Sequence, residues 1–159
     1  MSADLQATVV IVDDEEMVLT SLDSFLTLET DYIIHTFLSP TEALEFVRDN
    51  DVSLIISDYL MPEMDGISFL AQVREIKPDV TRIILTGYAD KENAIKAINE
   101  VGLFQYVEKP WDNDDLQIII RNGIDKQQLL ANLRVKVDEI NKAYAGLQKI
   151  QADILKTFA

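Results

Sequence analysis

Cysteine is absent from the 159 residues, and histidine occurs once, at His35. Without thiols the chain can form neither a disulfide nor a thiolate metal site, and a single imidazole excludes a histidine-rich zinc site. No apolar run approaches the roughly 20 residues that a membrane-spanning helix needs. The first six residues also lack the basic and apolar regions of a secretory signal. We therefore expect a cytoplasmic protein with no membrane partner.

Basic residues are scarce in the first part of the chain, whose net charge is strongly negative. Residues 1–123 hold 8 Lys and Arg against 24 Asp and Glu, a formal charge of −16, whereas residues 124–159 hold 6 against 4, a charge of +2. An acidic surface repels nucleic acid phosphates and attracts divalent cations. The composition thus argues against direct nucleic acid binding by this chain.

Short apolar runs alternate with amphipathic helical stretches up to Gly123. The runs cover residues 7–12, 32–37, 52–57, 80–85 and 104–107. Their content of Val, Ile and Leu is typical of strands buried on both faces of a parallel sheet. Helical patterns lie between them, over 15–29, from a capping box that begins at Ser39, and over 66–75 and 90–100. The alternation predicts an α/β domain with a doubly wound, five-stranded parallel sheet over residues 1–123.

Polar side chains follow four of the predicted strands. Asp13 and Asp14 follow the first strand, Asp58 the third, Thr86 the fourth and Lys109 the fifth. Ligands of an open parallel sheet bind beyond the carboxyl ends of its strands, near the point where strand order reverses. We therefore expect three carboxylates, a hydroxyl and an ammonium group to converge there.

Three carboxylates in one place repel each other unless a cation joins them. An all-oxygen site favours a hard cation, Mg²⁺ or Mn²⁺, and a carboxylate beside it can act as a nucleophile toward a phosphoryl group. Asp13 and Asp14 have an alternative explanation as helix-capping residues, since acidic side chains are common at helix N-termini. The presence of Asp58 and Lys109 at the same predicted edge of the sheet favours the metal site.

Four segments at these strand ends resemble the receiver domain of response regulators in two-component signalling systems. They are Val12–Glu15, Asp58–Gly66, Leu85–Gly87 and Tyr106–Pro110, and the match covers about residues 8–123. The resemblance implies a flavodoxin-like fold and phosphorylation by a histidine kinase or a phosphotransfer protein. It also implies that the signal leaves through the fourth helix, fifth strand and fifth helix, at about residues 90–123.

The resemblance assigns a role to each matching residue of the site. Asp58 corresponds to the phosphoacceptor. Asp13 and Asp14 correspond to the acidic pair that binds Mg²⁺ together with Asp58, and the backbone carbonyl of Leu60 completes the protein ligands.

The remaining roles concern the phosphoryl group and the response to it. Lys109 corresponds to the phosphate-binding lysine, and its peptide bond to Pro110 is expected to be cis. Thr86 corresponds to the switch hydroxyl, which turns toward the phosphoryl group, and Tyr106 corresponds to the switch aromatic, which turns inward with Thr86.

A helical pattern continues through residues 124–159 with apolar residues at alternating spacings of three and four. We call this row the seam; it consists of Leu130, Leu133, Val137, Ile140, Tyr144, Leu147, Gln151, Ile154 and Phe158. The spacing predicts a coiled coil about 43 Å long, and a parallel homodimer is the first expectation. A hairpin, or packing on the receiver, is the alternative, because Gly123 and Gly146 weaken a helix by about 1 kcal/mol each.

Two other functions are compatible with parts of this pattern. An aspartyl-phosphate phosphohydrolase would use the same metal site, but it needs a second acid–base carboxylate and a cap for which no insertion is large enough. A constitutive coiled-coil scaffold would ignore phosphorylation. The sequence is also compatible with both the regulatory part of a longer protein and a stand-alone regulator.

Overall fold

The computed structural model describes residues 6–158, so Met1–Leu5, most of the segment tested for a secretory signal, and Ala159 lie outside it. Strands and helices alternate along the chain. Their bounds are β1 Thr8–Val12, α1 Glu16–Glu29, β2 Ile33–Phe37, α2 Pro40–Asp49, β3 Leu54–Asp58, α3 Gly66–Ile76, β4 Thr81–Thr86, α4 Lys91–Glu100, β5 Gln105–Glu108 and α5 Asn113–Thr157. The five strands and the first four helices therefore lie where the sequence predicts them.

The five strands form one parallel sheet in the order β2-β1-β3-β4-β5. The chain first moves from β1 to β2 on one side, then crosses to β3 on the other side of β1. Strand order thus reverses between β1 and β3, which is where ligands bind in sheets of this kind. The predicted doubly wound, flavodoxin-like fold is confirmed.

Alternate residues of the strands pack against helices on opposite faces of the sheet. Val10 and Val12 belong to an apolar cluster with buried residues of α2, α3 and α4. Val9 and Ile11 belong to a second cluster with buried residues of α1 and α5. Helices therefore cover both faces of the sheet, which explains why its central strands are almost continuous in Val, Ile and Leu.

Local sequence signals set the ends of several helices. The Ser39 hydroxyl accepts a hydrogen bond from the Glu42 N–H, and Pro40 occupies the first turn of α2. At the other end of the domain, Gly102 has a φ of +67°, directly after the C-cap of α4 at Val101. Glycine is favoured there because a side chain would be strained at positive φ.

The chain divides into two compact units, the first extending to Gln127 and the second beginning at Gln128. The second unit is a single helical segment, the C-terminal part of α5. Because α5 runs without a break through Gly146, this segment does not form a hairpin. No helix within residues 6–158 combines the length and apolar content needed to cross a bilayer.

Candidate functional site

Asp13 lies directly after β1 and is fully buried. Its carboxylate accepts hydrogen bonds from the Glu15 N–H at 2.8 Å and from the Lys109 ammonium at 3.3 Å. Burial raises the pKa of Asp13 from 3.8 to about 6, and the nearby Asp58 charge adds to this, while the bonds from Glu15 and Lys109 oppose it. The protein therefore holds this carboxylate in a place where ionisation is unfavourable.

Asp58 is the last residue of β3 and is also buried. One carboxylate oxygen, Oδ1, accepts hydrogen bonds from the Tyr59 N–H at 3.0 Å and from Lys109 Nζ at 2.9 Å. Burial raises the pKa of Asp58 above its usual value, although the bond from Lys109 opposes the rise. The second oxygen remains available for chemistry, because both of these donors bind Oδ1.

Lys109 follows β5 and joins the two buried carboxylates. Burial alone would lower the pKa of its ammonium group, but the bond to Asp58 and the charge of Asp13 outweigh it, and the pKa is raised. Its N–H donates to the Thr86 carbonyl at 2.9 Å, and its peptide bond to Pro110 is cis, as expected. Lys109 is thus held at the end of β4 and is a cation at neutral pH.

The carboxylates of Asp13, Asp14 and Asp58 each offer an oxygen, and these oxygens lie within 4.8 Å of one another. Asp14 is exposed, so the group opens to solvent on one side. With one ammonium against three carboxylates, the cluster carries a net charge of −2 when ionised. An all-oxygen donor set with this charge fits a hard divalent cation.

Thr86 is the last residue of β4 and is fully buried. Its hydroxyl donates to the Gly87 carbonyl at 3.0 Å. Because a hydroxyl has a single hydrogen, this bond must break before Thr86 can donate to a group on Asp58. Tyr106 lies in β5, half-buried against the apolar cluster of α2, α3 and α4. Thr86 thus ends the strand next to that of Asp58, whereas Tyr106 pairs with Ile84, two residues before Thr86. Neither hydroxyl is hydrogen bonded to the carboxylates of Asp13 or Asp58.

The loop between β3 and α3 holds Leu60, whose side chain is exposed. Two residues hold this loop in place, and the sequence had assigned no role to either of them. Gly66 donates from its N–H to the Tyr59 carbonyl at 2.8 Å, and a Cβ at this position would collide with the Asp58 carbonyl oxygen. Its place at the end of the Asp58–Gly66 segment was the only signal for it.

Glu63 is the second residue that sequence reasoning missed. Its carboxylate accepts hydrogen bonds from the Ser39 hydroxyl at 3.1 Å and the Thr41 hydroxyl at 2.7 Å. These bonds tie the loop after β3 to the first turn of α2. No local pattern marks Glu63, because its partners lie more than 20 residues earlier in the chain.

A family model described as Response regulator receiver domain matches residues 9–121. The chain belongs to this family. The match includes β1 to β5 almost entirely, together with the strand ends that hold Asp13, Asp58, Thr86 and Lys109. Receiver domains are signalling domains that generally bind Mg²⁺, and the acidic cluster of this receiver can hold a metal ion.

Several known proteins are similar to this receiver. The hydrogenase transcriptional regulatory protein HoxA of Cupriavidus necator is 37% identical over 131 residues, which are 82% of this chain and 27% of HoxA. A protein of the same name from Bradyrhizobium diazoefficiens is 34% identical over 92% of this chain and 30% of its own length. The receiver thus spans less than a third of these curated relatives.

Solved receiver structures share the fold. A response regulator receiver domain protein from Clostridium thermocellum is 34% identical with a TM-score of 0.73, covering 78% of this chain and 98% of that one. The beryllofluoride-activated NtrC4 receiver domain dimer is 30% identical with a TM-score of 0.70, covering 76% and 98%.

Proposed function

We propose that Asp58 accepts a phosphoryl group from a histidine kinase or a phosphotransfer protein, in a reaction that depends on Mg²⁺. The observation that carries this proposal is the convergence of Asp13, Asp14 and Asp58 within 4.8 Å, with Lys109 bonded to two of them. It lies where strand order reverses, and the family match supports it.

Asp58 is the nucleophile of this reaction. A carboxylate oxygen attacks phosphorus, the new O–P bond forms as the P–N bond of the donor phosphohistidine breaks, and the imidazole nitrogen keeps the electron pair and takes up a proton. Oδ1 is occupied by Tyr59 and Lys109, so Oδ2 is the attacking atom. The ammonium of Lys109 lies beside Oδ1, where it can stabilise the negative charge that develops on the phosphoryl oxygens during transfer.

Asp13, Asp14, Asp58 and the backbone carbonyl of Leu60 would hold Mg²⁺, or Mn²⁺ in its place. When bound, the ion neutralises phosphoryl oxygens and so lowers the barrier to transfer. The charge of −2 on the ionised cluster matches the charge of one such ion. Asp13 loses its proton at about pH 6, so it is an available ligand at neutral pH.

Thr86 and Tyr106 convert the new charge on Asp58 into a change of packing. The Thr86 hydroxyl leaves the Gly87 carbonyl and donates to the phosphoryl group. Tyr106 then turns into the space that Thr86 vacates, which alters the surface formed by α4, β5 and the first turns of α5. Phosphorylation thus shifts an existing equilibrium between two arrangements of this surface.

The signal continues into the C-terminal part of α5, through which we propose that the chain forms a homodimer. The seam residues Leu133, Ile140, Tyr144 and Leu147 are each more than half exposed in the single chain. Such a row of apolar side chains is stable in water when another helix covers it. The dimer of the NtrC4 receiver domain is a precedent for association within the family.

Acetyl phosphate provides a direct test of the site. In the presence of Mg²⁺ it should add one phosphoryl group to the protein, measured by intact mass, and EDTA should prevent the addition. Asp58→Asn should abolish uptake, whereas Asp51→Asn, an exposed control just before β3, should leave it unchanged. Uptake by Asp58→Asn, or equal uptake in EDTA, would contradict the proposal.

A further inference from the structure

The C-terminal segment carries a polar side chain within its apolar seam. With Leu130 at heptad position a, the a residues are Leu130, Val137, Tyr144, Gln151 and Phe158, and the d residues are Leu133, Ile140, Leu147 and Ile154. Gln151 is the one seam residue that carries an amide, and an amide buried between helices requires hydrogen-bond partners. What lies opposite Gln151 therefore discriminates among possible arrangements of two helices.

Each alternative to a parallel, in-register pair leaves this amide against an apolar or aromatic side chain. In an antiparallel pair, position a of one helix faces position d of the other, and every d residue of the seam is apolar. In a parallel pair displaced by one heptad, Gln151 faces Tyr144 or Phe158. Without displacement it faces Gln151 of the second copy, and the two amides can donate to and accept from each other.

The positions that flank the seam point the same way. In a parallel pair, each g residue lies beside the e residue five positions further along the partner. Ile150 and Leu155 stand at such g and e positions and are 56% and 64% exposed in the single chain. The other g–e pairs contain at least one polar residue: Leu129–Arg134, Lys136–Asn141 and Ala143–Gln148.

Ile150 and Leu155 therefore meet across a parallel interface, once on each side of the seam. In an antiparallel pair, g lies beside g and e beside e, so the two residues would not face each other. The side of the helix opposite the seam is mostly polar, with Val135 as an exposed apolar exception and an ion pair between Lys142 and Asp138 at 3.1 Å. The apolar surface is thus widest around Gln151, on the side that faces the partner.

From this pattern we propose that the segment from Leu130 to Phe158 binds a second copy of this chain in parallel and in register. The two Gln151 side chains are hydrogen bonded to each other, and Ile150 of each copy packs against Leu155 of the other. Gln151 sets the register, and the flanking apolar pairs stabilise it. This inference rests on the homodimer proposed above and specifies its geometry.

The absence of cysteine makes this geometry directly measurable, since any cysteine introduced is the sole thiol of its chain. Ile154→Cys, at the d position after Gln151, places two thiols opposite each other across the proposed seam and keeps the Gln151 amide. Under mild oxidation it should form a disulfide-linked dimer roughly ten-fold faster or more than Lys149→Cys, an f-position control whose side chains point away from the partner. Both variants are compared without and with beryllofluoride, so that association is tested in the resting and in the activated receiver.

The antiparallel arrangement is tested with a mixture of Val137→Cys and Ile154→Cys, an a and a d position that would face each other in an antiparallel pair, with one variant enlarged by a tag. The parallel, in-register pair gives disulfide-linked homodimers of each variant and little of the mixed disulfide between the two variants. If the mixed disulfide is the main product, the chains are antiparallel, which overturns the proposed geometry but not the dimer itself. Sedimentation of the unmodified protein completes the test. A monomer in both states refutes the proposed dimer as well, a trimer refutes the two-chain geometry, and phosphoryl uptake by Asp58 is measured independently of either.

Discussion

Asp13→Asn is expected to stabilise the metal-free protein, even though Asp13 is a proposed metal ligand. The carboxylate is fully buried, and the rise of its pKa from 3.8 to about 6 means that its ionised form is disfavoured in the folded state. That rise corresponds to about 3 kcal/mol at neutral pH, at 1.36 kcal/mol per pKa unit. Asparagine keeps the acceptor for the Glu15 N–H but weakens the contact with Lys109. The expected gain in the free energy of unfolding is therefore about 1 to 3 kcal/mol.

The gain is measured by urea unfolding in EDTA near neutral pH, where the midpoint should rise with an unchanged slope. Asp14→Asn is the matched control, since the neighbouring carboxylate is exposed and water already solvates its charge. The gain from Asp14→Asn should be the smaller of the two. In excess Mg²⁺ the wild type should instead be more stable than Asp13→Asn, because an ion that binds the folded state stabilises the wild type more than a variant that lacks a ligand.

The pH dependence of the gain identifies its cause. A carboxyl group whose folded pKa is raised binds its proton more tightly in the folded state, so the wild type loses stability as the pH rises from about 4 to about 6. The advantage of Asp13→Asn should accordingly be absent below about pH 4 and complete above about pH 6. An equally or less stable variant in EDTA, or an advantage that persists in acid, would refute this account.

Two further predictions follow from the same structure. The affinity of the wild type for Mg²⁺ should increase as the pH rises through about 6, because the ion displaces the proton of Asp13; a calorimetric titration at several pH values measures this, and a flat profile would contradict it. Gly123→Ala should destabilise the protein by about 1 to 3 kcal/mol, because the new Cβ would lie 2.8 Å from Leu54 and 2.9 Å from Thr81. In its control, Gly146→Ala, the new Cβ meets no atom within 4 Å, and the substitution should increase helicity. Thermal unfolding of each variant, followed by circular dichroism, should show a lower melting temperature for Gly123→Ala and a stronger helical signal for Gly146→Ala. Equal effects of the two substitutions would refute the packing argument.

The position of the candidate site was predictable because parallel strands present their carboxyl ends at one edge of a sheet. Asp13 and Asp58 lie at the ends of neighbouring strands, so the pairing of β1 with β3 brings them together independently of the loop conformations. The side-chain state of Thr86 was not predictable, because its hydroxyl can donate either to the Gly87 carbonyl or toward the site. Sequence patterns do not fix the orientation of a single hydroxyl group.

Gly123 shows a second limit of sequence reasoning. Its helix propensity alone predicts a weak point in α5, yet the helix continues through it. The structure supplies the reason, since Gly123 is buried against Leu54 and Thr81, and the Thr81 hydroxyl donates to its carbonyl at 2.6 Å. A side chain would hold the helix away from the sheet, so glycine favours packing here by more than it disfavours helix formation.

The charge distribution favours the C-terminal helix as the proposed surface for a second copy. Residues 1–123 carry a formal charge of −16, so two receiver units that approach each other repel, whereas residues 124–159 carry +2. The proposed interface of apolar seam residues in the nearly neutral segment would join two chains where this repulsion is least. The same acidity favours the divalent ion that the site near Asp58 is proposed to bind. One charge distribution thus favours both proposals, since the acidic unit would attract the metal and the nearly neutral helix would bind the second copy.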